Sequence, residues 1–148
     1  MAKYFDPNIP NKSKKSDEVF QLIENSDYPL PSEVEISESG TCNRSCSFCP
    51  RSDPEYPDIK KFISNFLHNK LISELSDLNF AGTLRYSGFV EPLLDKNIFN
   101  LVKNARMKLP KSNIEMVTNG DVLNDERLIK LYESGLTKLL ISIYDGPE

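Results

Sequence analysis

The sequence predicts an α/β fold, a parallel sheet with helices outside it, and three observations lead there. From Pro31 onward, segments with strand-like alternation and segments with helical apolar spacing take turns along the chain. Gly, Pro or Asn-Gly closes each segment. No sequence repeat underlies the alternation, which argues against a solenoid.

The elements follow in order. Ser32–Ser39 alternates Val34 and Ile36 with polar residues and reads as the first strand, ended by Gly40. Pro50, Pro54 and Pro57 keep the next stretch from becoming helical. Asp58 is a suitable N-cap for a long helix, along which Ile59, Phe62, Ile63, Phe66, Leu67, Leu71, Ile72, Leu75 and Leu78 form an apolar stripe. Phe80–Ser87 reads as the second strand, closed by Gly88. Asp95–Leu109 reads as a second helix with Ile98, Phe99, Leu101, Val102 and Met107 inward, and Pro110 stops it. Asn113–Thr118 is a third strand ended by Asn119-Gly120. Asn124 caps a third helix to Ser134, and Gly135 suits its C′ position. Thr137–Ile143 is a fourth strand, broken by Asp145-Gly146-Pro147. Residues 1–30 are polar and Pro-containing, which predicts an extended arm with one short helix near Asp17–Glu24, ahead of a single domain over 31–148.

Bulk properties narrow the function. The 148 residues are 39% hydrophobic and 27% charged, a soluble globular composition. A net charge of −4 gives nucleic-acid binding no electrostatic support. No apolar run is long enough to span a bilayer, and Met1–Lys15 lacks the apolar stretch of a secretory signal, so no membrane partner is expected and a cytoplasmic location is the default. The basic run Lys12, Lys14 and Lys15 reads as a solvated stretch.

Chemistry gathers at one end of the expected sheet. In parallel βα folds, active groups lie beyond the C-terminal strand ends. The loop after strand one carries all three cysteines, Cys42, Cys46 and Cys49, a poor disulfide set and a plausible group of metal ligands. Three thiolates can hold three irons of a cubane and leave the fourth iron open. Zinc is the alternative, but structural zinc takes four ligands. His68, the single histidine, is otherwise a solvated helix residue.

Cys42-Asn43-Arg44-Ser45-Cys46-Ser47-Phe48-Cys49 resembles the signature of the radical S-adenosylmethionine (SAM) superfamily, three cysteines spaced x3 and x2 with an aromatic before the third. Ser87-Gly88-Phe89-Val90-Glu91-Pro92-Leu93 is similar to that family's Gly-rich Glu-Pro turn, with Phe89-Val90 where two glycines are usual. Thr118-Asn119-Gly120 and Leu140-Ile141-Ser142-Ile143 resemble its third and fourth strand ends. The combined loops look most like the subgroup with SPASM or twitch auxiliary domains. The resemblance covers Glu33–Glu148.

It implies a partial (β/α) barrel and a [4Fe–4S] cluster on Cys42, Cys46 and Cys49. It also implies SAM held with the help of Glu91, Asn119 and Ser142, with Phe48 near the adenine. Electron transfer into SAM then yields a 5′-deoxyadenosyl radical that abstracts hydrogen from a peptide or small-molecule substrate. The electron comes from a donor such as flavodoxin or ferredoxin.

Blander readings stand beside these. Glu91 could cap a turn, Asn119-Gly120 could be only a turn, and Ser142 could be a satisfied interior hydroxyl. Arg51 could reach the pocket to pair with a carboxylate or lie solvated on the surface. The barrel would be truncated to about four βα units, with an exposed apolar edge on strand four and no competence for catalysis alone. The rival class is a non-catalytic iron–sulfur or zinc-binding interaction module.

Overall fold

The computed structural model describes residues 30–144. The expected arm over residues 1–29, with its helix near Asp17–Glu24, lies outside them, as does the turn at Asp145-Gly146-Pro147. In chain order the elements are β1 (Glu33–Ile36), β2 (Ser39–Gly40), β3 (Ile59–Phe62), α1 (Asn65–Asp77), β4 (Thr83–Tyr86), α2 (Ile98–Lys108), β5 (Asn113–Thr118), α3 (Asp125–Glu133) and β6 (Lys138–Ile141). The main sheet has the order β1-β4-β5-β6, every neighbouring pair parallel, as the strand–helix alternation requires. The sheet is open within the described residues, since β6 pairs only with β5.

One face of the sheet is apolar and covered by helices. Ile36, Leu84, Tyr86, Ile114 and Met116 are buried there, together with Ile72 and Leu75 of α1, Ile98, Leu101 and Val102 of α2, and Leu131 of α3. The other face carries a registered row of charge. Glu35 stands opposite Arg85, Arg85 opposite Glu115, and Glu115 opposite Lys138. Arg85 bridges Glu33 and Glu115, the latter at 2.9 Å, and Lys138 lies 3.7 Å from Glu115. An all-parallel sheet is normally apolar on both faces; here cross-strand pairing neutralises the second face instead.

Two expectations need correction. The helix expected from Asp58 is two elements. Ile59–Phe62 forms β3, antiparallel to β2, and the helix starts only after Ser64, whose Oγ accepts from the Leu67 N–H at 3.2 Å. The Ile63 N–H donates to the Glu38 carbonyl at 2.6 Å, which takes it out of helical pairing. The apolar stripe therefore breaks up: Ile59, Phe62, Phe66, Leu67 and Leu78 are exposed, while Ile72 and Leu75 are buried. In α2, Met107 faces solvent rather than the core. The third strand has the expected bounds, and Asn124 caps α3 through Oδ1, accepting from the Arg127 N–H at 2.9 Å. Gly135 follows that helix at φ +100°, the left-handed geometry that its C′ position calls for.

Candidate cofactor-binding site

The loops at the C-terminal strand ends enclose a cavity of about 320 Å³, within the range of small-molecule sites. Cys42, Cys46, Cys49, Phe48, Glu91, Asn119 and Ser142 all line it, and so do Arg44, Arg51 and Tyr144. Four separate loops meet here because the parallel strands all deliver their chain to the same rim.

The cysteine loop is built from both ends. Arg51 anchors it: its guanidinium donates to the carbonyls of Gly40 (3.1 Å) and Phe89 (3.3 Å), pairs with Asp58, and lies over the Tyr56 ring at 5.4 Å. With its side chain only 7% exposed, Arg51 is a buried fastener, and the solvated reading of it is set aside. Further along, the Cys49 N–H donates to the Cys46 carbonyl at 2.9 Å, and the Ser52 hydroxyl donates to the Cys49 carbonyl at 2.8 Å. All three thiols are free and partly exposed on the cavity wall. Cys42 Sγ accepts from the Arg44 N–H at 3.4 Å, and Asn119 Nδ2 lies 3.8 Å from the same sulfur. Thiolate chemistry and N–H donors aimed at sulfur suit an iron–sulfur cluster. The thiols are neighbours on the wall rather than a closed ligand set: among the described residues no three Cys, His, Asp or Glu side chains converge to hold a metal ion.

Glu91 is 1% exposed and fully engaged. Its Oε1 accepts from the Leu93 N–H (3.0 Å) and the Thr118 hydroxyl (2.6 Å), and its Oε2 accepts from the Asn119 N–H (2.7 Å). It caps the short 3-10 turn Pro92–Leu94 and pins the β5 loop at once. Gly88, at φ +116°, leaves no room for a side chain, since a Cβ would sit 2.1 Å from Ser37 Oγ. Phe48 is 65% exposed at the mouth, edge-on to Tyr144 with ring centroids 4.7 Å apart. Ser142 is half-buried, and its backbone N–H extends the β5–β6 pairing to the Thr118 carbonyl at 2.8 Å.

Outside the cavity lining, the structure buries polar groups that the sequence reading missed. Glu38 is 1% exposed, both its carboxyl oxygens lack a hydrogen-bond partner, and burial pushes its pKa up to about 7. His68 is fully buried in α1, with Nε2 2.8 Å from the Tyr86 hydroxyl, and burial lowers its pKa to about 4. The expectation of a solvated His68 is corrected. Its position fits the buried stripe of α1, since residues 68, 72 and 75 share one helical face. It is not among the cavity-lining residues, so it offers no fourth ligand to the cysteines.

No family model matches the chain. The chain is 32% identical over 117 residues to the S-adenosyl-L-methionine-dependent 2-deoxy-scyllo-inosamine dehydrogenase of Niallia circulans, a match covering 79% of this chain and 46% of that protein. Among solved structures, it superposes on BtrN in complex with AdoMet and 2-DOIA with a TM-score of 0.74 at 32% identity, over 80% of this chain and 48% of that one. Selenomethionine BtrN in an open conformation matches with a TM-score of 0.72 over 82% and 54%. The chain is similar to BtrN. It spans about half the length of these relatives, and its α/β parallel sheet is the BtrN arrangement over that span. These matches correct the subgroup expectation: the relatives found are a SAM-dependent dehydrogenase and BtrN, and they give no support to the SPASM or twitch placement, which is withdrawn.

Proposed function

We propose that this chain carries the cluster- and SAM-binding part of a radical SAM enzyme whose reaction is a dehydrogenation. The similarity to BtrN, solved with AdoMet, supports SAM as the ligand of the cavity, and the name of the Niallia circulans relative supports the reaction class. The observation that carries the reading is the convergence of seven expected residues from four loops on one cavity wall.

In this reading Cys42, Cys46 and Cys49 hold a [4Fe–4S] cluster. Phe48 and Tyr144 form an aromatic lip for the adenine. Ser142 presents its hydroxyl to the ribose or carboxylate side of SAM. The backbone of Gly88–Glu91 faces the SAM ammonium, while the Glu91 side chain fixes the β5 loop. Asn119 stands between SAM and the cysteine loop. The charged face of the sheet becomes the inner wall of a partial barrel, where paired charge rather than apolar packing is expected. The three cysteines would hold the cluster, which when bound would supply one-electron chemistry to SAM. A small polyhydroxylated amine, the class named for the Niallia circulans relative, is the expected substrate. A flavodoxin- or ferredoxin-like donor in the cytoplasm supplies the electron.

Anaerobic reconstitution of the full chain with iron and sulfide tests the reading. About four irons and matching sulfide per chain are expected, lost in Cys46→Ala. One zinc and no iron would instead favour the non-catalytic module.

A further inference from the structure

The polar contacts between the cysteine loop and the β5 loop carry a further inference, which rests on reading the cavity as a cluster site. Asp121 is 77 residues from Arg44 in the chain, yet its Oδ2 accepts from Asn43 Nδ2 (2.9 Å) and Arg44 Nε (2.8 Å), and its Oδ1 pairs with Arg44 Nη2. A forked guanidinium–carboxylate pair fixes orientation as well as distance. Asn119 completes the clasp: its Nδ2 donates to Asn43 Oδ1 at 2.8 Å, and its Oδ1 accepts from the Asp121 N–H at 3.0 Å. The Arg44 guanidinium beside Asp121 holds that carboxyl below the usual range, which keeps the pair charged. The two halves of the cysteine loop are thus held differently. The Cys49 half is held by Cys46, Ser52 and Arg51, which reaches back to the Gly40 carbonyl, whereas Asn43 and Arg44 beside Cys42 are tied to the β5 loop.

We propose that Asp121 is the positioning residue of the cysteine loop, fixing Cys42 through Asn43 and Arg44 so that its thiol is presented to the cluster. Asp121 is not itself among the cavity-lining residues.

The test uses the full metal-free chain and reads alkylation of each cysteine by iodoacetamide with peptide mass spectrometry. Asp121→Ala is expected to speed modification of Cys42 about threefold, the worth of an exposed bidentate pair, while Cys49 keeps its rate. The Cys42-to-Cys49 ratio within one molecule is the readout, because general loosening moves both thiols together. Arg44→Ala should give the same change, and the double variant less than the sum of the two. An unchanged ratio, equal acceleration at all three thiols, or additive effects would overturn the proposal. In the reconstituted protein, Asp121→Ala should lose iron to a chelator about threefold faster; an unaltered rate would sever the clasp from the cluster. Because alkylation is read without metal, a chain that takes up no iron would overturn the cluster reading while the thiol ratio still decides the clasp.

Discussion

At the scale of single residues, two buried carboxyl groups do opposite things. Glu91 is buried with three hydrogen bonds and joins two loops. Glu91→Gln keeps the shape but puts an NH2 against a donor, so a loss of about 2 kcal/mol is expected in urea unfolding. Unchanged stability would mean that those bonds do not hold the loops in solution. Glu38 is buried, and burial raises its folded pKa from the ordinary 4.5 to about 7. The folded state therefore binds more protons than the unfolded state between those values, and the stability tied to Glu38 falls as pH rises through that window. His68 works in the other direction. Its pKa drops from 6.5 to about 4, so its contribution is lost as pH falls through that range, and the two slopes largely cancel in the native protein. Glu38→Gln removes one of them. The variant should gain on the native chain as pH rises from 4 to 8, by about 3 kcal/mol in all. Parallel stability curves across that range would show that Glu38 is not the buried group described.

At the scale of elements, caps and registers decide where segments begin. Ser64→Ala removes the true cap of α1 and should cost about 1 kcal/mol, whereas Asp58→Ala should leave helix content unchanged by circular dichroism. Equal loss of helix in both would restore the longer helix. Arg85→Ala strips the nearer partner from Glu115, whose side chain is 4% exposed, and should cost about 2 kcal/mol in the same unfolding assay. A neutral result would mean that Lys138 alone satisfies Glu115. The parallel sheet was legible because strand and helix periods alternate cleanly from β4 to β6. The β2–β3 hairpin was not legible, because Ile59, Phe62, Ile63 and Phe66 continue the helical spacing of α1 across Ser64. The β2–β3 pairing and the bond from Ile63 to Glu38, both tertiary contacts, break that pattern. The site divides in the same way. The thiols, Phe48, Glu91, Asn119 and Ser142 belong to local motifs on strand ends. The Arg44–Asp121 pair joins positions 77 residues apart and leaves no local trace, although Asp121 directly follows Asn119-Gly120.

At the scale of the whole molecule, the parallel sheet turns four unrelated loops into one wall. Its covered face holds the core, and its opposite face holds paired charge. Among the described residues no helix is long and apolar enough to cross a membrane. Ile141 and Ile143 are exposed at the β6 end, 48% and 80%, beside the aromatic pair at the cavity mouth. The chain spans about half the length of the relatives it matches. Under the proposed function, this wall holds the cluster. Iron and sulfide analysis after anaerobic reconstitution addresses that directly: about four of each per chain, falling to background in the Cys46→Ala variant, is the expected result. Iron at background in the native sequence, or iron retained unchanged without Cys46, would contradict it.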